Sequence, residues 1–148
     1  MPLTDLLADE ARRADIVDDA ILEVEAEVDS LGGLKGKAIQ AGYSGLKKLR
    51  PDMVSSNLHK LLPRMAPAMD PHVEAGQASG DLPAHFVANA DTIAEDLLAV
   101  TDARAAEANN KAAVGVYNRL RKGAKDQVVG AMPRIGQFVQ RHTAAPRS

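Results

Sequence analysis

The stretch Glu10–Leu31, EARRADIVDDAILEVEAEVDSL, decides the fold class. Val17, Ile21, Val24, Val28 and Leu31 recur at alternating four- and three-residue spacing, which lines them along one side of an α-helix. A stripe this narrow suits packing against a partner helix. Asp15, Asp19, Glu23 and Glu27 form a second row at four-residue spacing. Each like-charge pair costs an isolated helix roughly 0.2–0.5 kcal/mol, so a cationic neighbour would relieve it. A solvated acidic face is the default reading of the row, and a metal site is disfavoured because a hard cation needs ligands converging in three dimensions. Gly32 and Gly33 end the helix, since glycine takes the left-handed cap conformation without steric cost.

Working outward, helical periodicity continues and no strand-like alternation competes with it. A helix over 34–49 carries Ala38/Gly42 and Ala41/Gly45, small residues that let another helix approach closely. Each glycine costs about 1 kcal/mol against alanine, which packing must offset. Pro51 is expected in the first turn of a helix ending near Leu62. Pro63, Pro67 and Pro71 recur every four residues and predict a turn or a kinked short helix. The run Gly76–Asp81, GQASGD, is the strongest loop signal and the expected mobile segment. Pro83 opens a short helix to Ala88, and Thr92 with Glu95 reads as a capping box starting a helix to about Glu107. Asn109 and Asn110 mark a break. A helix over about 111–121 follows, with Ala113, Tyr117 and Leu120 on one face. Val128, Met132, Ile135 and Val139 mark a last amphipathic segment restarted at Pro133, and the tail from 143 is expected to fray. The expectation is a compact all-α bundle of about six to eight helices in one domain.

The chain has 148 residues, 26% charged and 3% aromatic, with no Cys and a net charge of −2. This composition excludes a disulfide scaffold, a collagen-like repeat and a disordered tail. Acidic residues near the start and the charges that interrupt every apolar run predict a cytoplasmic protein with no membrane partner. The near-neutral total hides a pattern: residues 1–31 carry −8, 32–64 carry +6, 65–110 carry −7 and 111–148 carry +7. Short echoes follow the same order. Leu6-Leu7-Ala8 returns as Leu97-Leu98-Ala99, Tyr43 with Leu46 as Tyr117 with Leu120, and Leu62–Met65 as Met132–Ile135. Two related halves, 1–75 and 82–143, are therefore expected.

No motif proposes catalysis. Gly33–Ala38 fails as a phosphate loop because position 31 is Leu and position 38 is Ala, with no strand before it. Gly42–Gly45 fails as a nucleophile elbow because Leu46 replaces the closing glycine. His59, His72, His85 and His142 share no ligand spacing, and none has Glu three residues before it. Hence no catalytic residue, metal or cofactor is assigned.

The partner-facing signals are the Val17–Leu31 stripe and two basic clusters. Lys47, Lys48, Arg50, Lys60 and Arg64 form one; Arg119, Arg121, Lys122 and Lys125 form the other. Such clusters suit phosphate contacts, yet no aromatic platform accompanies them and the acidic blocks compete for them. The stretches GGLKGKAIQAGYSGLKKLRPDMV (32–54), LLPRMAPAMDPH (61–72) and LLAVTDARA (97–105) resemble a family of small uncharacterised actinobacterial proteins of unknown function. The chain departs from that family at His72-Val73, where aromatics are usual, and at Lys122-Gly123, where Pro is usual. The resemblance implies a helical domain and no assigned chemistry. Function is thus unassigned. A non-enzymatic interaction or structural protein, homodimeric or bound to another protein, leads. A nucleic-acid-binding module is the alternative, and a small-molecule or lipid carrier using Met53–Met69 is a third.

Overall fold

The computed structural model describes residues 2–49, 51–107, 109 and 111–143. Eight helices occupy nearly all of them: α1 (Leu3–Ala8), α2 (Glu10–Ser30), α3 (Gly33–Leu49), α4 (Met53–Ser79), α5 (Leu82–Ala88), α6 (Ala90–Glu107), α7 (Lys111–Gly130) and α8 (Met132–Thr143). The fold is all-α, as the periodicity requires. Both short helices lead directly into long ones. Asp9 closes α1 and caps α2 by accepting from the Ala11 amide, and Asn89 closes α5 before α6 begins.

The core lies where α1, α4, α5 and α8 meet the first turns of α2 and α6. Leu6 and Leu7 of α1, Ala66, Met69 and Val73 of α4, Phe86 of α5, Ile93 of α6 and Met132 of α8 form one buried cluster with Ile16 of α2. Helix α3 contributes no described residue to that cluster. The α1 end is pinned by Asp70 of α4, which accepts from the Leu3 amide at 2.8 Å and the Thr4 hydroxyl at 2.6 Å. On the other side α5 lies against α8 so closely that a Cβ on Gly136 would stand 2.9 Å from Pro83 Cα. Only glycine fits there.

Several local expectations give way to tertiary context. The helix expected to stop near Leu62 starts at Met53, after the Pro51-Asp52 turn, and runs unbroken through Pro63, Pro67 and Pro71 to Ser79. Four-residue spacing stacks the prolines on one side, where Pro67 and Pro71 are exposed, away from the packed face of the helix. Ala66, Met69, Val73 and Gly76 are buried on the opposite side and hold the helix in place. The expected loop at 76–81 shrinks to a tight turn. Gly80 takes the left-handed conformation (φ 87°), and the Asp81 side chain caps α5 through the Ala84 amide at 3.2 Å. The capping box at Thr92 is not used, because α6 already starts at Ala90 and the Ile93 amide donates to the Asn89 carbonyl. The helix expected over 111–121 extends to Gly130, and α8 restarts at Met132 with Pro133 in its first turn. Asn110, the tail 144–148, and the side chains of Leu46, Ala113 and Leu120 lie outside the described residues.

Candidate interaction surface

The acidic row of α2 does not stay solvated. Arg134 of α8 reaches Glu23 at 3.3 Å and Glu27 at 3.1 Å. Arg141 reaches Asp19 at 2.9 Å and Glu23 at 2.8 Å, and the His142 ring donates to Asp19 at 2.6 Å. Three rungs are therefore neutralised by α8. Burial alone would push the Asp19 carboxyl up, but the hydrogen bonds from Arg141 and His142 outweigh it and hold it below the ordinary carboxylate range.

A matching seam joins α4 to α6. The His72 ring donates to Asp96 at 2.6 Å, and Arg64 bridges to Glu107 at 2.9 Å. Exchange α2, α3 and α4 for α6, α7 and α8, and the polar contacts correspond. His142 on Asp19 answers His72 on Asp96, and Lys47 on Glu25 (3.2 Å) answers Arg121 on Asp102 (2.9 Å). Tyr43 precedes Lys47 as Tyr117 precedes Arg121. The Tyr117 hydroxyl donates to Asp102, and the Arg121 and Tyr117 hydrogen bonds hold that carboxyl low. The Tyr43 hydroxyl is buried without a hydrogen-bond partner among the described residues, and burial raises its pKa. The echo Leu6–Ala8 with Leu97–Ala99 breaks this correspondence, since its members fall on α1 and α6.

Among the described residues, some of these basic side chains are paired and others are exposed. Lys47, Arg64 and Arg121 are held as above, and Lys125 contacts Asp91 at 3.1 Å and Glu95 at 2.8 Å. Lys48, Lys60, Arg119 and Lys122 are exposed, while Arg50 lies outside the described residues. The basic residues thus belong to different helices, α3, α4 and α7, and half of those described are spent on internal pairs. Of the stripe, Val17 is fully buried; Ile21, Val28 and Leu31 are half-buried; Val24 is 36% exposed. The proline face of α4 lines an open surface groove of about 690 Å³ with Ala99, Val100 and Ala103 of α6. No group of His, Asp and Glu able to hold a metal occurs among the described residues. No described helix is long and apolar enough to cross a membrane.

Periodicity and spacing missed the most exposed apolar surface. Of the large apolar side chains left exposed among the described residues, Leu22 (67%), Val24, Leu34 (87%) and Leu49 (83%) lie on α2 and α3, and Val87 is the exception. Tyr43, Gln40 and Lys47 turn α3 inward. Gln40 donates to the Val28 carbonyl at 2.9 Å and to the Leu31 carbonyl at 3.1 Å, tying α3 to the end of α2. The opposite side of α3 is left open. It carries Leu34, Ala38, Ala41, Gly45 and Leu49 within an arc of about 100°. The close helix contact expected at Gly42 and Gly45 is not made among the described residues, because a Cβ at either would meet none of them within 4 Å. The signal was present in the sequence: these positions repeat at helical spacing, but periodicity does not say which of two apolar faces is covered.

No curated protein and no solved structure matches the chain. A family of unknown function, DUF6918, matches over residues 3–143, and the chain belongs to it.

Proposed function

We propose that this is a non-enzymatic, cytoplasmic interaction protein that self-associates through its α2–α3 hairpin. The observation that carries the reading is the outward side of α3, where Leu34 and Leu49 stand 87% and 83% exposed at the two ends of a small-residue face. Scattered single apolar residues on a surface need no explanation, whereas a row on one helix marks an interaction site. Internal pairing of Lys47, Arg64, Arg121 and Lys125 favours this reading over nucleic-acid binding.

Magnitudes set the expected strength. Two copies contribute four such leucines, each worth about 1.5–3 kcal/mol when buried, or about 6–12 kcal/mol in all. Association costs about 4–15 kcal/mol, so these leucines alone support a dimer no tighter than about micromolar, whose population depends on concentration. Light scattering across about 5–500 μM is expected to show the mass rise from 15.7 kDa towards twice that value. A mass of one chain at every concentration would contradict self-association.

The corresponding contacts of α2–α4 and α6–α8 support a second element of the reading. The chain is two related halves, 1–75 and 82–143, in which each half lends its last helix to the long acidic helix of the other. Helix α4 is bolted to α6 by His72 and Arg64, and α8 is bolted to α2 by His142, Arg141 and Arg134.

A further inference from the structure

We propose that the outward side of α3 receives α2 of a second copy, and that each copy offers both surfaces, so that two α2–α3 hairpins close into a four-helix arrangement about a two-fold axis. The inference rests on the self-association reading and names the partner surface for it. Three observations converge on this occupant. The first is charge. Lys35, Lys37 and Lys48 border the Leu34–Leu49 face on its two sides, and α3 contains no acidic residue. A second α3 laid on the first would set lysine against lysine, so the complement must be acidic.

The second observation is that this chain presents such a complement. The acidic row Asp19, Glu23 and Glu27 is consumed by α8, but the outer side of α2 is not. There Asp15, Asp18, Leu22 and Asp29 are all exposed and share one face at helical spacing. Leu22 is a single apolar knob, 67% exposed, among carboxylates.

The third is shape. Ala38, Ala41, Gly42 and Gly45 leave the middle of α3 with little side-chain bulk, and nothing lies within 4 Å of the missing Cβ atoms at Gly42 and Gly45. A bilayer or a nucleic acid gains nothing from a bare helix backbone. A helix bringing one leucine knob does, because the knob can descend between the leucines that end the face. Under a two-fold axis the contact occurs twice, since residues of α2 meet α3 in both directions.

Charge exchange tests this. One variant carries Lys35→Glu, Lys37→Glu and Lys48→Glu; the other carries Asp15→Lys, Asp18→Lys and Asp29→Lys. Each alone should dimerise at least tenfold more weakly than the wild type by light scattering, because both of its contacts set like charges together. An equimolar mixture should recover a dimer, and that dimer should contain one chain of each kind. All the substituted residues are exposed, and far-UV circular dichroism checks that helix content is kept. Should either triple variant unfold, Leu22→Asp and Gly45→Asp carry the same expectation of at least tenfold weakening. Variants that dimerise like the wild type would overturn this interface while leaving self-association standing. A wild type that stays monomeric would overturn both. A mixture that stays monomeric while the wild type dimerises would overturn the α2-on-α3 pairing.

Discussion

Phe86→Ala is expected to lower stability by about 3–5 kcal/mol. Its ring is fully buried and belongs to the main apolar cluster. Helix α5 has only seven residues, too few to persist without packing, so the ring is what fixes it to the rest of the chain. Gly136 of α8 brings that helix against Pro83 and the Phe86 Cβ, so the ring sits at a close helix contact. For a chain of this length each kcal/mol lowers the melting temperature by about 2–4 °C, which gives a drop of about 6–20 °C by thermal circular dichroism. A loss below about 1 kcal/mol would mean that α5 is not seated on α8.

Asp19→Asn should cost about 1–3 kcal/mol, because Arg141 and His142 would face a neutral amide where they now share a carboxylate. The same residue makes the chain acid-sensitive. The folded-state pKa of Asp19 lies below the ordinary value, and so does that of Asp102 beside Arg121 and Tyr117. A carboxylate held low in the folded state contributes stability that is fully present above its unfolded pKa. That contribution is lost as pH falls through the lower folded value. From these two carboxylates no acid loss is expected above the unfolded carboxylate value of about 3.9, and a fall is expected below it. Asp19→Asn should start lower and fall less steeply over the same acid range, since one of the two linked groups is gone. Melting temperatures of both proteins across that range check the sign. A variant curve parallel to the wild type would remove Asp19 from the seam.

What was legible in the sequence follows from how local each determinant is. Helix α2 ends within a residue of its expected boundary, because its apolar stripe and the Gly32-Gly33 pair that stops it are local signals. The proline row misled for a physical reason. The rule that proline breaks helices treats each residue alone, whereas three prolines stacked on one side leave the opposite, buried side of α4 intact. The capping box at Thr92 failed because α5 and α6 share Asn89 as their junction, a tertiary economy that no four-residue pattern encodes.

The surface signals split the same way. Charge counted by quarters anticipated that acidic and basic blocks could meet, and α2 with α8 is one such meeting. It could not say that α8 would serve α2 and α4 would serve α6, since contacts across such distances depend on the whole fold. His72 and His142 have no ligand spacing in the sequence, and each hydrogen-bonds one aspartate. The glycines of α3 suit a close helix neighbour, yet no described residue comes within 4 Å of a Cβ at Gly42 or Gly45. That mismatch between an apolar, glycine-bearing face and the water around it is what the proposed second copy explains.

The chain has no cysteine, so single introduced thiols report contacts without interference. Mixing a Leu22→Cys copy with an Ala41→Cys copy under mild oxidation asks whether α2 of one copy lies on α3 of another. A disulfide-linked heterodimer should form faster than either homodimer and should be abolished in denaturant. Equal yields of all three dimers, or linkage only between identical thiols, would contradict α2 docking on α3.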